Sequence, residues 1–115
     1  MWKICIQNPF DNCDKIHPLQ QRKVKKLLDI LSCNDNIIKV IIFGSSVTSR
    51  CNICSDVDIY IELKNKQKNI INEYVDFVYD LWTNFSVDER LFKEIRNKGV
   101  IVYERNIVNE SKTQS

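Results

Sequence analysis

Apolar and polar positions along this chain repeat with two different periods, and each period predicts a different element. Between Pro18 and about Ser32, Val24, Leu27, Leu28 and Leu31 fall at i, i+3, i+4 and i+7, one face of a helix whose first turn suits Pro18. Arg22, Lys23, Lys25 and Lys26 occupy the other face, the ordinary solvated side of an amphipathic helix. Asn34-Asp35-Asn36 signals a loop, and Ile37 to Phe43 reads as a buried strand. Its last residues, Val40-Ile41-Ile42-Phe43, run without interruption into Gly44.

A period of two takes over at Asp56. Alternation puts Asp56, Asp58, Tyr60 and Glu62 on one face of a strand and Val57, Ile59, Ile61 and Leu63 on the other, so only the second face is built for a core. Glu73 to Asp80 reads as another strand, with Asp76, Val78 and Asp80 on one face and Val75, Phe77 and Tyr79 on the other. Lys64 to Asn69 is polar and turn-like; what remains before the next strand holds at most two helical turns, or the two strands form a long hairpin. Ser86-Val87-Asp88-Glu89 reads as a capping box that opens a helix to about Asn97, with Leu91, Phe92 and Ile95 inward and Gly99 ending it. Short strands are expected at Trp2 to Gln7 and Val100 to Glu104, and the polar stretch 106–115 reads as a disordered tail. The fold class is α/β (α+β by some definitions): a small mixed sheet flanked by helices, within one domain over 1–105.

Composition narrows the function classes. A chain of 115 residues has the usual size of one domain and leaves no room for a separate substrate-binding domain. Net charge is +2, and basic residues are spread among acidic ones, so no direct nucleic-acid contact is expected. No apolar run approaches the roughly 20 residues of a membrane span, and Met1-Trp2-Lys3-Ile4-Cys5 lacks a signal-peptide pattern, so a cytoplasmic protein is expected. Five cysteines, an odd number, suggest reduced thiols. Cys51 and Cys54 form a C-x-x-C that Cys5, Cys13 and His17 could in principle complete, but no second pair has matching spacing and zinc is not expected.

The chemistry concentrates between Gly44 and Asp58. Carboxylates two residues apart on a strand lie about 6.5 to 7 Å from each other and repel unless a cation sits between them. Mg²⁺ suits hard oxygen ligands and is usually held by one or two carboxylates plus substrate phosphates. A polar, solvated strand face is the bland reading of the same pattern. Gly44, one of only two glycines, stands where the buried strand ends and allows a positive φ or close backbone approach. Ser45 and Ser46 then offer hydroxyls and N–H groups at the start of a short helix through Val47 to Arg50, a place that favours anions. An ordinary strand-to-helix turn with a serine cap is the alternative.

Taken whole, the apolar strand, Gly44-Ser45, the spacer ending at Ser55 and Asp56-Val57-Asp58 opening an amphipathic strand resemble the DNA polymerase beta superfamily, and more closely its minimal nucleotidyltransferase domains. The likeness runs from about Leu19 to Tyr103. It implies a polymerase-beta-like palm and transfer of a nucleoside monophosphate, AMP from ATP being the expected case. It also implies two Mg²⁺ ions on Asp56 and Asp58, with a third carboxylate on a neighbouring strand. Asp76 matches that position, and Asp80 is the fallback. Gly44, Ser45 and Ser46 would hold phosphates. Ser46 to Arg50 departs from the family's usual sequence, and Arg50 either restores a positive charge or is a solvated residue. Members of this size resemble the antitoxin half of toxin systems, in which the nucleotidyltransferase adenylylates a tyrosine of a helical HEPN ribonuclease. Nucleotidyl transfer to a small molecule, with a partner or homodimer completing the acceptor side, and an inactive partner-binding domain are the alternatives.

Overall fold

The computed structural model describes residues 1–105. Strands β1 (Ile37–Phe43), β2 (Val57–Leu63), β3 (Tyr79–Thr83) and β4 (Val100–Glu104) form one sheet in the order β3-β2-β1-β4. Strand β1 pairs antiparallel with β2 and β4, whereas β2 and β3 run parallel. Helices α1 (Pro18–Leu31) and α2 (Glu89–Lys98) complete a mixed α+β fold. The expected tail, 106–115, lies outside the described residues.

Helix α1 begins where its sequence says it should. Pro18 needs no N–H partner in the first turn, and Nδ1 of His17 accepts the N–H of Leu19 at 3.2 Å. Its apolar stripe, Val24, Leu27, Leu28 and Leu31, packs in one cluster with Ile37, Val40, Ile42, Val57, Ile59, Ile61 and Leu63. Each such side chain fully removed from water contributes about 1.5–3 kcal/mol, so this layer holds α1 against the sheet.

The opposite face of the sheet is not left to solvent. Ile41, Phe43, Tyr60 and Ile95 form a second buried cluster, with Trp82, Leu91 and Phe92 packed on it. Tyr60, on the face expected to be polar, is only 1% exposed because the apolar side of α2 covers it. Burial pushes its hydroxyl up to about 12, and the charge of Glu62 adds to the effect.

Several expectations are corrected. Trp2 to Gln7 is not a strand; Trp2 donates its N–H to Asp14 at 2.8 Å, and Cys5 donates to Oε1 of Gln21 at 2.7 Å. The stretch 64–78 is neither helix nor hairpin, since parallel strands require the chain to return to the start of β3. Side chains pin this connection: Asn36 Nδ2 donates to Asn65 O at 2.8 Å and to Gln67 Oε1 at 2.9 Å. Strand β3 therefore begins at Tyr79, and Asp76 precedes it. The capping box does not form either. Asp88, not Ser86, caps α2, its Oδ1 accepting the N–H of Leu91 at 2.7 Å, while the Ser86 hydroxyl accepts the Thr83 N–H. A carboxylate at the helix N-terminus also gains from the dipole, which a serine does not.

Candidate active site

The end of β1 and the start of β2 build the site. Phe43 stands opposite Asp58 in the antiparallel register, so the turn at Gly44 begins beside the Asp58 carboxyl group. Gly44 has φ +73, and a Cβ placed on it would collide with Oδ2 of Asp58. Both facts demand glycine there. The turn itself is one 3-10 segment, Gly44–Val47, so the short helix expected through Arg50 ends early.

The acids gather around Asp58. In the parallel register Asp58 lies opposite Asp80, and the two carboxyl groups are within hydrogen-bonding reach. The Asp58 carboxyl is pushed up to about 6, first by burial, then by the charges of Asp80 and Asp56, with Glu94 of α2 adding a smaller push. Asp56 and Asp80 are exposed. Asp76 is exposed too, and faces Arg22 at 3.9 Å. The carboxylate opposite Asp58 is thus Asp80 and not Asp76, because β3 starts at Tyr79, six residues after the Glu73 start that the apolar alternation suggested.

Crowded like charges are what a divalent cation relieves, and three aspartates are donors of the hard type Mg²⁺ prefers. Among the described residues no three or more His, Cys, Asp or Glu side chains are placed so that together they could hold a metal ion, so Asp58 with Asp80 is the closest carboxylate pairing at the site. A pair of carboxylates fits an ion that takes its remaining ligands from water and phosphate.

Helix α1 ties the two halves of the site together. Gln20 is fully buried, and its Nε2 donates to Ser46 Oγ at 3.2 Å, Ser55 O at 3.1 Å and Asp56 O at 3.3 Å. The His17 N–H donates to Ser46 O at 2.8 Å. Ser46 is therefore an internal anchor, buried and with its hydroxyl accepting from Gln20. Sequence reasoning passed over Gln20, yet a signal existed: it lies four residues before Val24, in line with the apolar stripe, where a solvated glutamine would be out of place.

A cavity of about 300 Å³ opens beside the turn, lined by Gly44, Ser45, Thr48, Arg50, Glu94 and Lys98 among others. Arg50 thus reaches the wall of the site. Lys98 joins it from the last turn of α2, a residue no motif pointed to, because only the packing of α2 on the sheet carries it there.

Comparison with known proteins agrees with this fold. Residues 25–108 match the family model described as polymerase beta, nucleotidyltransferase. A chain from the crystal structure of a mutant MntA-HpeT toxin-antitoxin is 18% identical with TM-score 0.61, the match covering 75% of this chain and 77% of that one. A chain from the structure of tri-AMPylated Shewanella oneidensis HEPN toxin in complex with MNT antitoxin is 19% identical with TM-score 0.58, covering 79% and 77%. At these identities the likeness is one of fold. No curated protein matches in sequence.

Proposed function

The chain belongs to the polymerase beta nucleotidyltransferase family, and from that membership we propose that it transfers a nucleoside monophosphate, AMP from ATP, to a hydroxyl of a partner protein. The observation that carries this reading is the crowding of Asp58 by Asp80 and Asp56 directly against the Gly44 turn. In the reaction the acceptor oxygen attacks the α-phosphorus, the bond to the bridging oxygen breaks, pyrophosphate leaves and the hydroxyl proton is lost. Asp56, Asp58 and Asp80 would hold Mg²⁺, Asp80 taking the position that the sequence pattern gave to Asp76. Bound there, the ions supply charge neutralisation and lower the pKa of the attacking hydroxyl.

The chain's own groups do the rest. Gly44 and Ser45 offer N–H and hydroxyl donors to the β and γ phosphates, and Arg50 and Lys98 bring positive charge to the same cavity. Gln20 keeps the phosphate turn and the aspartate strand in register with each other. Partial burial of Asp58 against the Gly44 turn thins its hydration, so a cation and a triphosphate meet less competition from water at that carboxylate.

The acceptor is read from the company of the similar chains, which come from complexes of a toxin with an antitoxin, one toxin being AMPylated. A helical HEPN-type protein modified by this chain is the proposed partner, and the chain would act as its antitoxin. Intact mass spectrometry of such a partner after incubation with this chain, Mg²⁺ and each NTP in turn tests the whole proposal. Addition of one or more AMP groups is expected with ATP and none with Asp58→Ala. Equal modification by both proteins would sink it.

A further inference from the structure

The two ends of α2 lie over different cavities, and the one away from Gly44 has no part in the chemistry above. Its cleft, of about 290 Å³, is lined by Tyr60, Glu62, Val87, Asp88, Glu89 and Phe92 among others. Three of those side chains are acidic and two are aromatic. Asp88 is committed to its cap on Leu91, which leaves Glu62 and Glu89. Neither has an ion-pair partner among the described residues; Lys39, opposite Glu62 in the register, is engaged with Glu104 at 3.4 Å.

Acidic residues at a surface cleft would mean little alone, but Tyr60 adds an independent observation. It is 1% exposed, it forms part of the cleft, and its hydroxyl has no hydrogen-bond partner. A buried, unpaired hydroxyl is destabilising, and phenylalanine would fill the same space without that penalty. A tyrosine here makes physical sense if something entering the cleft completes its hydrogen bond.

We propose that this cleft binds an organic cation of the guanidinium or alkylammonium class. The cation's N–H groups donate to the Tyr60 oxygen and to the Glu62 and Glu89 carboxylates, and its flat or alkyl part rests on the Tyr60 and Phe92 rings. The protein already stacks one guanidinium this way, with Arg96 lying 5.8 Å from the Phe92 ring centroid. The cation is either a free small molecule or a basic side chain of a bound protein, and the recognition chemistry is the same. The site stands apart from the transfer reaction, so it holds whether or not the chain is an active nucleotidyltransferase.

An NMR titration of the full chain with N-acetyl-arginine amide, beside its neutral isostere N-acetyl-citrulline amide, tests the assignment. Saturable shifts at Tyr60, Val87 and Phe92 are expected, with a Kd on the order of 1 mM for arginine and binding at least about tenfold weaker for citrulline. Tyr60→Phe and Glu62→Gln should each weaken arginine binding about three- to tenfold, and Tyr60→Phe should fold at least as well as the native chain. Tighter binding of a Gly-Arg-Gly peptide would assign the cation to a protein side chain, and equal binding to a free small molecule. Equal affinity for arginine and citrulline, absence of binding, or binding untouched by both substitutions overturns the proposal.

Discussion

The carboxyl group of Asp58 occupies the space that a side chain at position 44 would need. A Cβ on Gly44 would collide with Oδ2 of Asp58, and the backbone at Gly44 has φ +73. The Gly44 turn and the start of β2 are thus one tightly fitted unit, and any side chain at 44 acts on both at once.

Gly44→Ala should lose about 1–2 kcal/mol from the left-handed backbone alone, with more from displacing Asp58. Thermal unfolding should show the loss. AMP transfer should fall by at least about a hundredfold, because an aspartate moved by an ångström no longer meets its cation. Native-like activity in the alanine variant would contradict the fitted-unit account.

Asp58 gives the free protein a specific pH dependence. Its carboxyl is raised from 3.8 to about 6, so the folded state holds the proton more tightly than the unfolded chain. The stability this provides is complete below about pH 3.8 and is lost as pH rises through about 6. Asp58→Asn should therefore stabilise the metal-free protein at pH 7.5, by on the order of 1 kcal/mol after allowance for solvent screening at a partly exposed group. The gain should shrink towards pH 4. Unfolding curves at several pH values, with and without Mg²⁺, would read both trends.

Asp80 and Asp76 separate the two candidate carboxylates cleanly. Asp80→Asn should abolish AMP transfer, whereas Asp76→Asn should leave it within about threefold, since an exposed ion pair with Arg22 is worth at most about 1 kcal/mol. The reverse pattern would restore Asp76 to the site.

Gln20→Met keeps the volume but removes the donor to Ser46, Ser55 and Asp56. Leaving the buried Ser46 hydroxyl and the two part-buried carbonyls without this donor should cost about 1–3 kcal/mol. Hydrogen exchange should quicken at 44–48 and 55–58 together. Val24→Ala, a cavity mutation on the same helix, should destabilise without singling out those two segments.

Lys98→Ala should raise the KM for ATP about tenfold with a smaller change in kcat, equivalent to about 1.4 kcal/mol of ground-state phosphate binding. Arg50→Ala should behave alike. An unchanged KM in both would remove the cavity beside Gly44 from triphosphate binding.

The sequence by itself determined the elements whose pattern answers to local rules. Helix α1, strand β1 and strand β4 fall where their periodicity and flanking Pro, Asn and Gly residues put them, and Gly44 with Asp56 and Asp58 was legible as a spacing. Tertiary structure decided what depends on which strands become neighbours. Alternation read from Glu73 to Asp80 could not tell that β3 starts at Tyr79, because the strand's extent is fixed by its parallel register with β2, and that register chose Asp80 over Asp76. Nor could it tell that α2 would cover Tyr60 and carry Lys98 to the turn, or that the fold would partly bury Asp58 beside Asp80 and raise its pKa. Gln20 is the sharpest case. Its place on the apolar stripe was visible in one dimension, but its three acceptors come from segments 26 to 36 residues away, and only the folded chain brings them to a single amide.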